Sequence, residues 1–340
     1  MRFGFRSYLV FWAAIGSLVL SACSSTVLAS DSNRQVTLDA IVSSTYLALT
    51  QTQSNSTSAP LIETITVPTK VPTPVIAVVT IPAIVPSATP DTRLDPKYWS
   101  EWTIIPVLSS RSLEIYNQGI EMGNNPKIFS TIGDCQSEPN VFMGIYATDR
   151  YYLGENYTYL KETIEYYKEA FQIKSAGVRD GLSAPSALSS TWSDPLVCNK
   201  GENPIECELG LHKPSIVFIN LGTNWKAGAS ADKYEEYLRE IVDIVVQHGS
   251  LPILSTKADN VEGDHSLNRA TARVAHDYDI PLWNFWRAAQ SLPNNGLDGD
   301  RDNIYLAPEG WDRRNFTALQ VLDAVRRSVQ GLSLPSVQQK

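Results

Sequence analysis

The chain has no zinc-ligand spacing, no phosphate-binding loop and no dinucleotide fingerprint. Those absences set aside common metal and nucleotide chemistries, and no cofactor is expected. Basic residues are outnumbered: 28 Lys and Arg face 36 Asp and Glu, a formal charge of −8. A general nucleic-acid binder would present a basic face, so nucleic acid is not expected as a partner. Histidine and cysteine are scarce, four of each. Apolar runs are short, and those at 75–79 and 83–85 fall well below a membrane span. What the chain does have is a 43% hydrophobic fraction over 340 residues. That suffices for a sizeable core in one or two domains.

The first residues read as a targeting segment. Arg2 and Arg6 form a basic region, and residues 8–22 form a short apolar one. It ends in Leu20-Ser21-Ala22-Cys23. Small residues before a cysteine resemble the bacterial lipobox. The resemblance implies a signal peptide over 1–22, cleavage before Cys23, and lipid on the Cys23 thiol. Alternatives are an ordinary secretory signal cut nearby or an uncleaved anchor. Each places the remainder outside the cytoplasm, and lipidation would fix it to the extracytoplasmic face of the cell membrane. Residues 23–50 are polar, with a weak helical pattern at 36–49. Residues 51–96 hold eight of the 20 prolines among many Ser and Thr, which predicts an extended spacer. A folded domain is expected over 97–332, followed by a tail over 333–340.

Three cysteines remain beyond Cys23. Cys198 and Cys207 bracket the polar stretch 199–206, and an oxidising compartment favours a disulfide between them. Cys135 is then left outside any bridge. Pairing of Cys135 with one of the other two stays open at this level.

Residues 97–332 alternate apolar runs with helical patterns, the signature of a parallel α/β sheet. Strands are expected at 128–132, 173–178, 216–221, 251–255 and 281–285. Helices are expected at 110–122, 157–171, 231–247, 267–277 and 312–330. Ligands of such sheets bind beyond the C-terminal strand ends, so the loops after the strands hold the candidates. The first is Gly133-Asp134-Cys135-Gln136-Ser137, a tight turn presenting a thiol. The second runs from Gly177 to Ser183, the third is Asn220-Leu221-Gly222-Thr223-Asn224-Trp225, and the last runs from Asp298 to Leu306 and contains Asp302-Asn303-Ile304-Tyr305.

A strand entering Gly-Asp-X, a glycine in the second loop, Gly-Thr-Asn after the third strand and Asp-x-x-X before the last helix resemble the SGNH (GDSL-type) hydrolase superfamily, over about residues 127–330. The resemblance implies a three-layer α/β/α sandwich of flavodoxin-like order, in a divergent member. It places Cys135 at the nucleophile position, which is serine in the family. It assigns the oxyanion-hole glycine to Gly181, with Gly177 as a rival, and the oxyanion-hole asparagine to Asn224. The Asp-x-x-His pair falls on Asp302 and Tyr305, so the family's base is absent. Tyrosine titrates near ~10 against about 6.5 for histidine. A thiol is partly ionised without a base, whereas Asp134 and Asp302 oppose a thiolate.

Among the histidines, His248 reads as a helix cap, His276 lies on a surface helix and His212 precedes the third strand at the wrong edge. His265 sits in the loop after the fourth strand. One reading of that loop is a solvated polar segment. The other has Lys257, Asp259 and His265 lining the pocket, with His265 replacing the lost base. Asp298, Asp300, Asp302 and Glu309 have EF-hand-like spacing, but Asn303 replaces the glycine and Pro308 interrupts the loop, so no metal is expected. Trp283 and Trp286 read as core, and Trp225 as the tryptophan best placed for a ligand. The expected activity is ester hydrolysis on acyl or acetyl groups of glycans or lipids. The alternative is a catalytically silent descendant that binds a glycan or surface partner. The oligomeric state is not legible.

Overall fold

A computed structural model describes residues 94–226 and 228–333. The signal peptide, Cys23, the polar segment, almost all of the linker and residues 334–340 lie outside the described residues. Pro96, counted with the linker, opens a 3-10 turn, Pro96–Glu101, that packs on the domain.

Four parallel strands form the sheet: β1 (Asn125–Gly133), β2 (Pro214–Asn220), β3 (Leu251–Ser255) and β4 (Leu282–Trp283). A single parallel bridge, Gly133 with Val178, adds a short segment on the free side of β1. By chain position the order across the sheet is 2-1-3-4-5, the flavodoxin-like order expected. β2 is buried at every residue, as a central parallel strand covered on both faces must be.

Helices α1 (Ser110–Glu121), α2 (Leu160–Tyr166), α3 (Ala184–Ala187), α4 (Pro204–His212), α5 (Ala231–Gln247), α6 (Ser266–Tyr278), α7 (Phe285–Ala289) and α8 (Pro308–Val329) complete the unit. α5 and α6 pack together, as do α2 and α8, giving a layer on each side of the sheet. Tyr234, Leu238, Ile241, Val242 and Val245 form the buried stripe of α5, the helical period seen in the sequence. Each such side chain contributes about 1.5–3 kcal/mol on burial.

Three expectations need correction. The strand at 173–178 shrinks to one bridge because Ser175 folds the backbone back. Its Oγ donates to the Thr131 carbonyl and accepts from the Gly177 N–H. The helix at 157–171 is confined to α2, since Tyr167 leaves helical geometry and the following bonds are i to i+3. β4 stops at Trp283 because Asn284 turns the chain and caps α7 through the Arg287 N–H. α4 was not expected, although Asn203, Pro204 and Glu206 form a capping box with proline at the first turn. Cys207 lies inside this helix and is bonded to Cys198 with a Cα separation of 5.2 Å.

Candidate functional site

The sheet order reverses between β1 and β2, where ligands of such sheets bind. A cleft opens there, lined by Asp134 and Gln136 after β1, Asn220 and Thr223 after β2, Lys257 and Asp259 after β3, Ile304 and Leu306 of the last loop, and Arg314 of α8. It offers about 30 Å³ to water centres, room for one or two waters.

Asp134 caps the 3-10 turn Cys135–Ser137 by accepting from the Gln136 N–H at 3.0 Å. Its other carboxylate oxygen accepts from Asn224 Nδ2 at 2.8 Å. Burial pushes the Asp134 carboxyl up to about 6, against the pull of Arg314 and the Gln136 N–H, with Asp259 and Asp180 adding to the rise. Cys135 is 7% exposed and lies outside any disulfide. Gly133 is forced by space: a Cβ would meet Ser137 Oγ at 2.3 Å and the Asn220 carbonyl at 2.9 Å.

The two glycine candidates separate. Gly177 is buried, its N–H donates to Ser175 Oγ, and its carbonyl accepts from Gly133. Gly181 is exposed with φ +73°, beside Trp192. Asn224 uses its amide within the protein. Nδ2 donates to Asp134 and, at 3.3 Å, to the Leu182 carbonyl, which occupies both of its protons. Its proximity to the turn is as the resemblance implies, yet its donors point at a carboxylate rather than at open space. Trp225 is half-buried against Tyr234, and its Nε1 donates to the Ala229 carbonyl.

The last loop reaches the cleft through Ile304 and Leu306, which flank Tyr305. The Tyr305 ring carries the Arg301 guanidinium 3.7 Å from its centroid, and its carbonyl accepts from the Asp298 N–H. Asp302 is exposed and takes a left-handed φ of 56°.

Of the loop after β3, Lys257 and Asp259 line the cleft but His265 does not. His265 precedes α6 with φ 54°, and its ring packs against Trp99 and Trp286. Burial lowers its pKa, and Lys257 lowers it further. His265 thus stands outside the cleft lining, as do Cys135, Asn224 and Tyr305. Lys257 Nζ instead pairs with Asp259 at 2.6 Å and Glu262 at 2.5 Å, and Thr223 Oγ1 donates to Asp259 at 2.8 Å. Trp283 is wholly buried, as expected.

Arg314 was missed. Its guanidinium is 6% exposed as a residue, donates to the Gln136 carbonyl and lies over the Phe142 and Trp311 rings. Burial lowers it to about 10, while negative charge at Asp134 and Cys135 raises it. The signal was present: Gly310, Arg314 and Ala318 recur at four-residue spacing on the inner face of α8. Asn220 heads the third loop. Its Oδ1 is buried at the cleft without a hydrogen-bond partner.

No family model matches the chain, and no curated protein matches it. Among solved structures, a GDSL-like lipase from Bacteroides thetaiotaomicron is similar at 13% identity, over 63% of this chain and 98% of that one, with a TM-score of 0.39. LAE5, an α/β hydrolase enzyme from the metagenome of Lake Arreo, is similar at 16% identity over 60% and 96%, TM-score 0.40. A psychrotrophic esterase from Pseudoalteromonas gives 13% identity over 60% and 99%, TM-score 0.37. The likeness is one of fold.

Proposed function

We propose that this chain is an extracytoplasmic, lipid-anchored ester hydrolase of the SGNH type, with Cys135 in place of the serine nucleophile. The observation that supports it is convergence. Asn224 of the third loop bonds Asp134 of the first and the Leu182 carbonyl of the second, and residues flanking Tyr305 line the same cleft. Cys135 Sγ attacks the ester carbonyl as a thiolate and expels the alcohol, which takes its proton from water. Water then cleaves the thioester, releases the acid and restores the thiol. The resemblance assigns the oxyanion to the Cys135 backbone N–H and to Gly181; the Gln136 and Ser137 N–H groups of the turn are bonded to Asp134. Asn224 joins Cys135 and Gly181 only by leaving Asp134. The substrate class is an acyl or acetyl ester of a glycan or lipid.

A second reading is a silent descendant that holds a glycan or surface partner. It is favoured by the engagement of both Asn224 amide protons and by Tyr305 at the position of the base. Hydrolysis of p-nitrophenyl acetate by the purified protein separates the two. Turnover that is lost in Cys135→Ala supports the hydrolase. No turnover in the parent or in Cys135→Ser supports the silent descendant.

A further inference from the structure

Arg314 is an unusual resident for a cleft wall. A guanidinium at 6% residue exposure has lost most of its water, and such a charge needs compensation. It donates to the neutral carbonyl of Gln136, and its faces lie on two aromatic rings. Gln136 directly follows Asp134 and Cys135, so that bond sets the guanidinium against the turn on which both ionisable groups sit. α8 thus delivers a buried cation to the turn that presents the thiol.

We propose that Arg314 sets the charge on Cys135: held beside the turn by the Gln136 carbonyl, its guanidinium stabilises the thiolate in competition with Asp134. Arg314 is a positioning residue in the hydrolase reading above, supplying by charge what a neighbouring base would supply by proton transfer. Other charged groups face the turn. Asp134 stands on the turn itself, Lys257 and Asp259 come from the loop after β3, and Asp180 acts from the second loop. Lys257 is held by Asp259 and Glu262, whereas Arg314 reaches the turn itself through the Gln136 carbonyl. Tyr305 approaches on the last loop between two cleft residues. Asp134 and Cys135 therefore share one cation, and ionising either disfavours ionising the other.

The test is the pH titration of thiolate ultraviolet absorbance in the full chain, with Cys135→Ser as the blank. Arg314→Gln keeps an N–H donor for the Gln136 carbonyl and removes the charge. It is expected to raise the Cys135 midpoint by about one pH unit or more, the effect of losing an opposite charge at close range. Arg314→Lys is expected to stay near the parent. Asp134→Asn is expected to lower the midpoint. An unchanged midpoint in folded Arg314→Gln overturns the assignment, because a merely structural arginine would leave the titration alone. Should that variant not fold, Asp134→Asn decides: an unchanged or raised midpoint overturns the shared-cation scheme. Ester turnover is not read, so failed hydrolysis sinks the hydrolase reading while leaving this one intact, and the reverse also holds.

Discussion

Asp134 gives the protein a pH dependence opposite to that of most carboxylates. A surface Asp paired in the fold has a depressed pKa and stabilises the fold as pH rises. The Asp134 carboxyl is raised from 3.8 to about 6, chiefly by burial. The folded state therefore binds this proton more tightly than the unfolded chain does. The associated stability is fully present below the unfolded value and is lost as pH rises through the folded value. A shift of about two units corresponds to about 3 kcal/mol. Asp134 is 6% exposed, so solvent screening removes little of it. Asp134→Asn abolishes the titration. It also turns one amide nitrogen toward a donor, either Asn224 Nδ2 or the Gln136 N–H, but that penalty is the same at every pH. Guanidinium unfolding of both proteins from pH 4 to 8 isolates the effect as a difference. Parent minus variant should fall by about 2.4 kcal/mol across this range, the rest being lost below pH 4, and level off above neutrality. Parallel curves, or a difference that grows with pH, refute the account of Asp134 as a buried, burial-raised carboxyl.

Four further outcomes are expected. Gly133→Ala should destabilise by about 1–3 kcal/mol, the usual range for overpacking, because the added methyl meets Ser137 Oγ and the Asn220 carbonyl; an unchanged melting temperature contradicts the packing. Lys257→Met should cost about 3–5 kcal/mol by leaving Asp259 and Glu262 buried without their cation, read by denaturant midpoint. His212 is raised above its usual value by its bond to Glu208, so its contribution is present below about 6.5 and lost as pH rises through the folded value. The gap in melting temperature between the parent and His212→Gln should accordingly shrink from pH 5.5 to 9, and a gap that widens refutes it. Replacing Cys198 and Cys207 together by serine should cost about 2–3 kcal/mol for so short a loop, measured under non-reducing conditions.

The sheet was legible because its strands carry the strongest one-dimensional signals. β3 and α5 fall where periodicity placed them, at Leu251–Ser255 and Ala231–Gln247. Periodicity failed where side chains override it. Ser175 bends an apolar run out of the sheet, and Asn284 ends another after two residues. The positions of the first, third and last loops were legible from motif order alone. Their polar wiring was not. Nothing local to Asn224 reveals that its amide faces Asp134, because that bond spans 90 positions. The direction of His265 depends likewise on Trp99, which precedes it by most of the domain. Arg314 was hidden for a different reason. Charged residues on helices are mostly solvated, and only its spacing with Gly310 and Ala318 marks the inner face.

The turn at Pro96–Glu101 has a consequence for how the domain is held. Asn284 donates to the Trp99 and Trp102 carbonyls, and Trp99 packs between His265 and Trp286. Asn284 also accepts from Thr256, a residue of the cleft wall. The chain thus enters the domain at the edge where the strands end, the edge that carries the cleft. Any molecule that grips the turn at Pro96–Glu101 therefore stands next to the door of the cleft.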